Sequence, residues 1–191
     1  DIPGTGLNSE LKLEPDFDQL HLVFLERLLA TGKFNPGQVG LVGISFGGNA
    51  VVKLAVAQPS RFAAVLNICG PLHDVFVASV SRVAYVERMY RDALTDRWKL
   101  ERADPISLAK NARGFSLVEQ GVLTPTAQTP VPILNLNAAG DYVATESDMR
   151  LAARASKRGF IVFSGKDDHC PQDRAADMPK AAAWLAGEVV R

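Results

Sequence analysis

Apolar positions follow two alternating rhythms along this chain. The first is the short unbroken run: Val39–Ile44 (VGLVGI), Ala63–Cys69 (AAVLNIC), Val131–Ala138 (VPILNLNA) and Phe160–Ser164 (FIVFS). Such runs predict strands covered on both faces, and the β-branched content of the first fits that reading. The second rhythm spaces apolar residues by three and four. Over residues 15–31 it places Phe17, Leu20, Phe24 and Leu28 on one stripe. Pro15 suits the first turn, Asp16 and Asp18 lie near the positive end of the dipole, and Gly32 is placed to stop the helix. Residues 49–58 (NAVVKLAVAQ) predict a second helix ending near Pro59, and 146–158 and 174–190 predict two more. Residues 3–9 and 35–37 are turn-rich.

Strands alternating with helices imply an α/β fold: a mostly parallel sheet, right-handed crossovers, and helices on both faces. One connection breaks the rhythm. Residues 71–130 carry Tyr85, Met89, Tyr90, Trp98 and Phe115 and are far too many for a plain crossover. They predict a mostly helical cap inserted over the strand ends of a single domain spanning 1–191.

Composition narrows the function classes. The chain has 191 residues, 47% hydrophobic and 22% charged, the balance of an ordinary globular protein. Lys plus Arg equals Asp plus Glu at 21 each, with no basic block, which argues against nucleic acid or an anionic membrane as partner. No apolar run approaches the roughly 18 residues of a membrane span. Two cysteines, Cys69 and Cys170, are too few for a disulfide scaffold and fit a reducing, cytoplasmic compartment. Cys69, at a strand end, is expected to be a small buried hydrophobe, and Cys170 to line the site or simply pack.

The sharpest motif is Gly43-Ile44-Ser45-Phe46-Gly47, followed by Gly48. It fits G-x-S-x-G between a predicted strand and a predicted helix. A serine on so tight a turn sits in strained backbone, and glycines two residues away on either side remove Cβ atoms that would clash. The turn lifts the hydroxyl above the sheet, beside the new helix's N-terminus. The same glycines do not fit a dinucleotide loop.

A serine hydroxyl needs a base, and the base needs an orienting group. The chain has three histidines. His21 falls inside the first helix, and His73 in a loop after the second strand. His169 lies in Gly165-Lys166-Asp167-Asp168-His169-Cys170-Pro171, directly after the last strand, at the edge where open α/β sheets bind ligands. It is the preferred base. The acid should follow an intervening strand, and Asp141 in Ala139-Gly140-Asp141-Tyr142 does so. Glu146 and Asp148 sit past that turn, and Asp167 and Asp168 adjoin the histidine too closely to orient it. Metal binding is weakly supported, since the spacing of Asp167-Asp168-His169-Cys170 is too tight for a usual zinc site. No metal or organic cofactor is expected.

These loops together resemble an α/β-hydrolase. The segments DIPGTG, DFDQLHLVFLERL, VGLVGISFGGNAVVKLA and AVLNICGPLHDVF are similar more narrowly to the fermentation-respiration switch protein (FrsA-like) group of esterases. The DDHC segment also resembles hydrolases of carbon–carbon bonds in diketone-like substrates. The resemblance implies Ser45 as nucleophile, His169 as base and Asp141 as acid, with the Phe46 N–H as one oxyanion donor and Gly43 and Gly47 framing the turn. It implies a serine hydrolase of small-molecule esters or related acyl compounds. The alternatives are C–C hydrolysis with the same residues, or a regulatory protein-binding module without catalysis, for which family analogy suggests a sugar-phosphotransferase protein. In the family, a second oxyanion donor comes from a loop after an earlier strand, and further strands and a helical region precede the nucleophile. A start at Asp1, without Met, is therefore expected to mark a piece of a longer enzyme. Folded alone, its open sheet edge predicts self-association.

Overall fold

The computed structural model describes every residue except 85–87 and 167. Among the described residues four strands, β1 (Gly40–Ile44), β2 (Ala64–Ile68), β3 (Ile133–Ala139) and β4 (Gly159–Lys166), form one parallel sheet in the order β1-β2-β3-β4. Helices α1 (Asp18–Leu29) and α2 (Phe46–Ala57) flank β1 in sequence, α6 (Glu146–Ala155) connects β3 to β4, and α7 (Arg174–Val189) follows β4. Between β2 and β3 lie α3 (Val80–Ala84), α4 (Arg88–Arg97) and α5 (Pro105–Arg113). Tyr85 lies outside the described residues.

Each strand's alternation assigns its two faces. Val65 and Ile133 join Val52, Leu54 and Ala55 of α2, Leu22 of α1 and Ala152 of α6 in one buried cluster. Leu66, Ile68, Leu134 and Leu136 point the other way and pack with Ala181, Met178 and Leu185 of α7. Helices therefore cover both faces of β2 and β3, whose residues are almost all buried. Each fully buried aliphatic side chain there contributes about 1.5–3 kcal/mol.

The outer strands correct the expectation of full cover. In β1 the face that Gly40 turns to α7 continues at Val42 and Ile44, which are 50% and 53% exposed. In β4, Phe160, Val162 and Phe163 are also exposed. These runs look like buried strands because residues 40–44 and 160–163 are apolar throughout, but each sits at a sheet edge.

Helix α1 departs from the predicted stripe. Leu20 and Phe24 are exposed, whereas Asp18 and Leu22 are buried. The reason is an ion pair: Asp18 Oδ1 lies 2.6 Å from Lys53 Nζ of α2, which also donates to the Pro15 carbonyl. With that pair facing inward, Leu20 and Phe24 lie toward solvent, while Phe17 of the same stripe stays buried. Of the large side chains singled out in 71–130, Trp98 and Phe115 are buried and stacked with centroids 5.5 Å apart, while Met89 and Tyr90 are exposed.

Candidate active site

Ser45 is the residue between β1 and α2. Its φ of +49° and ψ of −123° are outside the regions ordinary side chains occupy, a strain of about 1–3 kcal/mol. The surroundings hold it there. The Ser45 N–H donates to the Ile68 carbonyl at 2.8 Å, and the Gly48 N–H donates to the Ser45 carbonyl at 2.8 Å. A Cβ on Gly43 would lie 2.3 Å from the Gly47 carbonyl oxygen, so no side chain fits under the turn.

The second steric requirement is displaced by one residue from its predicted place. A Cβ on Gly47 would meet nothing within 4 Å, whereas one on Gly48 would lie 2.1 Å from Asn67 Oδ1 and 2.5 Å from Gly70 Cα. Gly48 lets the start of α2 settle onto the end of β2. Asn67 fills that junction: its amide donates to Asn135 Oδ1, and its Oδ1 accepts from the Gly70 N–H.

His169 reaches the serine from the far edge of the sheet. The β3–β4 register shifts between Asn137 and Ala139, near the ends of both strands. The following loop folds back through Gln172, whose amide donates to the Lys166 carbonyl at 2.8 Å. His169 Nε2 then lies 2.9 Å from Ser45 Oγ. Asp141, after β3 and the Gly140 turn at φ +77°, lies on the imidazole's other side, with Oδ2 2.9 Å and Oδ1 3.2 Å from Nδ1. Asp141 is buried, while Ser45 and His169 are partly exposed. Because a carboxylate only accepts, Nδ1 carries the proton and Nε2 is free to accept from the serine hydroxyl.

Burial by itself would push the Asp141 carboxyl up. The hydrogen bonds from His169 and from the Val143, Ala144 and Cys170 N–H groups outweigh that and hold it below the usual carboxylate range. The carboxylate is ionised where it faces the imidazole.

Phe46 opens α2, so its N–H is one of the helix's unsatisfied N-terminal donors by position. Its ring is fixed in an aromatic cluster, with centroids 5.5 Å from Phe17, 5.6 Å from Phe76 and 5.3 Å from Phe115. The segment between β2 and β3 thus closes over the residue next to the serine.

The other candidates are engaged elsewhere. His73 pairs through Nδ1 with Ser116 Oγ at 2.8 Å, and His21 packs against Phe17. Glu146 is exposed and pairs with Arg150. Asp148 is buried and accepts the Leu72, His73 and Asp74 N–H groups, tying the loop after β2 to α6. Burial, with Asp74 nearby, pushes its carboxyl up to about 6 despite those three donors. Asp168 is exposed and caps the His169 N–H, and Asp167 lies outside the described residues.

The cysteines require a correction. Cys69 is buried as expected, but it is not a free hydrophobe: it forms a disulfide with Cys170, with the Cα atoms 4.9 Å apart. The pairing withdraws the support that cysteine usage lent to a reducing compartment. The bond spans 101 residues, a closure that stabilises by about 4–5 kcal/mol in the chain-entropy picture. Cys69, Cys170 and His169 bring possible ligand atoms within 4.8 Å of one another, but sulfurs joined to each other offer no thiolates to a metal. No helix among the described residues is long and apolar enough to cross a membrane.

Family comparison matches this architecture. The model of the family described as esterase FrsA-like fits residues 1–188. The chain belongs to the FrsA-like family. This FrsA-like chain is 32% identical to the esterase FrsA of Vibrio vulnificus strain YJ016 over 192 aligned positions, covering 100% of the chain and 45% of that relative. The esterase FrsA of Vibrio cholerae serotype O1 (strain ATCC 39541) is 33% identical over 191 positions, with the same coverage. The FrsA-like chain therefore spans about half the length of these relatives. Among solved structures, a 2,6-dihydroxy-pseudo-oxynicotine hydrolase superposes with a TM-score of 0.73 at 19% identity, covering 100% of the chain and 51% of that structure. The sheet and its helices are those of the α/β-hydrolase fold.

Proposed function

We propose that this chain carries the nucleophile, base and acid of a serine hydrolase acting on small carboxylic esters or related acyl compounds. The observation that carries the reading is the continuous line from Ser45 Oγ through the His169 imidazole to Asp141, 2.9 Å at each junction.

In this reading Ser45 Oγ attacks the substrate carbonyl carbon as His169 Nε2 takes its proton. Asp141 holds the imidazole in the required tautomer and stabilises the imidazolium that forms. The oxyanion lies at the start of α2, where the Phe46 N–H donates to it and the helix dipole favours the charge. His169 then returns the proton to the leaving group. Water, deprotonated by the same imidazole, cleaves the acyl-serine ester and frees Ser45. The FrsA-like membership supports hydrolysis as the reaction class, and the chain's own residues supply each of these steps.

A fluorophosphonate probe tests the reading. Ser45 is expected to be labelled in the unaltered chain and unlabelled in Ser45→Ala, with short p-nitrophenyl esters showing an acyl burst. Labelling lost by neither substitution nor prior ester acylation would refute it. Cleavage of a β-diketone without ester turnover would move the same residues to C–C hydrolysis. No labelling of a folded full-length enzyme would leave a binding module.

A further inference from the structure

We propose that the Cys69–Cys170 disulfide is a positioning clamp for His169, and that its reduction by a dithiol reversibly disarms Ser45. The proposal rests on the hydrolase reading for its effect on Ser45, though not for the clamp itself.

His169 depends on a loop with few other attachments. Among the described residues of 165–173, Gly165, Lys166, Asp168, Gln172 and Asp173 are exposed, and only Cys170 and Pro171 are buried. The loop leaves the edge strand β4 and must cross the end of β3 to deliver an imidazole to the turn after β1. Cys170, the residue after His169, makes that crossing permanent. Its sulfur is bonded to Cys69, the residue that follows β2, whose N–H donates to the Leu136 carbonyl of β3 at 2.9 Å. Its own N–H donates to Asp141 Oδ2 at 3.2 Å, the oxygen that also faces His169 Nδ1. Both cysteines have left-handed backbone, φ +47° at Cys69 and +75° at Cys170, conformations that persist in non-glycine residues only where the surroundings enforce them. One covalent bond therefore fixes the residue beside the base to the rigid sheet, and aligns a donor on the acid.

Reduction changes this locally. A dithiol thiolate attacks one sulfur, forming a mixed disulfide and releasing the other cysteine as a thiolate. The dithiol's second thiol then closes a ring and frees the remaining cysteine. Two electrons pass from the dithiol, which leaves as a cyclic disulfide, and its two protons end on Cys69 and Cys170. Two sulfurs packed in a buried site must then move from bonded to non-bonded separation, and Cys170 carries His169 with it. Misplacement of a catalytic group by about 1 Å can cost about 100-fold in rate.

The experiment uses the chain as it is. Iodoacetamide on the denatured, unreduced protein is expected to add nothing to Cys69 or Cys170, and after dithiothreitol to alkylate both; alkylation without reduction overturns the proposal. The fluorophosphonate reaction at Ser45 is expected to slow about 10- to 100-fold on reduction. The loss should fall on the inactivation rate constant rather than on reversible binding, with circular dichroism unchanged, and recover on reoxidation by oxidised glutathione. The Cys69→Ser/Cys170→Ser chain should match the reduced form and ignore dithiothreitol. Equal rates in verified oxidised and reduced protein overturn the proposal while leaving the hydrolase reading standing. If Ser45 is labelled in neither form, the hydrolase reading fails and the clamp is read by amide hydrogen exchange. Reduction should then speed exchange in 168–172, and unchanged exchange there overturns the clamp.

Discussion

His169 Nδ1 lies 2.9 Å from Asp141 Oδ2, a carboxylate held ionised by the imidazole and three backbone N–H groups together. An Asp141→Asn chain would keep the size but place an amide N–H where Nδ1–H now donates. The imidazole would then adopt the tautomer whose Nε2–H points at Ser45 and cannot accept its proton. Ester turnover should fall by about 10⁴-fold with a much smaller change in urea midpoint. Turnover within a few-fold of the parent would remove Asp141 from the relay.

Two of the buried carboxylates, Asp141 and Asp148, give stability opposite pH slopes in adjacent windows. Asp148 binds its proton more tightly folded, at about 6 against an ordinary value of 3.8. Its contribution therefore falls as pH rises from about 4 through 6, and is constant above that. Asp141 is lowered, so its contribution is present above its unfolded value of 3.8 and lost as pH falls through its folded pKa. Urea unfolding at several pH values should show Asp148→Asn removing the decline between pH 4 and 6, whatever its effect on overall stability. Parallel pH profiles for parent and variant would contradict the assignment.

At the serine turn, the two glycines of the motif should respond differently to a methyl group. Gly43→Ala would drive a Cβ into the Gly47 backbone at 2.3 Å and should fail to fold or unfold at much lower urea. Gly47→Ala meets nothing within 4 Å and lies inside α2, where alanine is favoured over glycine by about 1 kcal/mol. Its stability should equal or exceed the parent's. Equal damage from both substitutions would mean that the turn's steric requirement is not the one described.

Strand β1 pairs with β2 on one edge, and among the described residues no strand pairs with the other. Val42 and Ile44 beside that edge are about half exposed. Unpaired edges of this kind recruit further strands. Light scattering after gel filtration should show the chain self-associating with concentration, and Val42→Lys/Ile44→Lys should shift it to monomer. A monomer across the whole concentration range for the parent would count against this.

Much of the site was legible because its chemistry is local. G-x-S-x-G between a strand-like and a helix-like run predicts a tight turn, and Asp141 and His169 follow later strands in the order serine, acid, base, which His73 does not. The structure brings those three residues together. The same local reading went astray where neighbours decide. It gave β1 and β4 two covered faces, turned the Phe24 stripe of α1 inward, and assigned to Gly47 the crowding that belongs to Gly48. It also read Cys69 as a small buried hydrophobe and missed its bond to Cys170.

The sequence by itself determined the order of elements, the parallel sheet and the identity of the three residues at its rim, because periodicity, turn chemistry and strand-to-loop order are properties of nearby residues. Only the tertiary structure decided which strand faces stay open and which side of α1 is buried, since burial is set by what packs from elsewhere. It alone decided that Cys69 and Cys170 meet: 101 residues separate them in sequence, and only the loop crossing from β4 over the end of β3 brings them together.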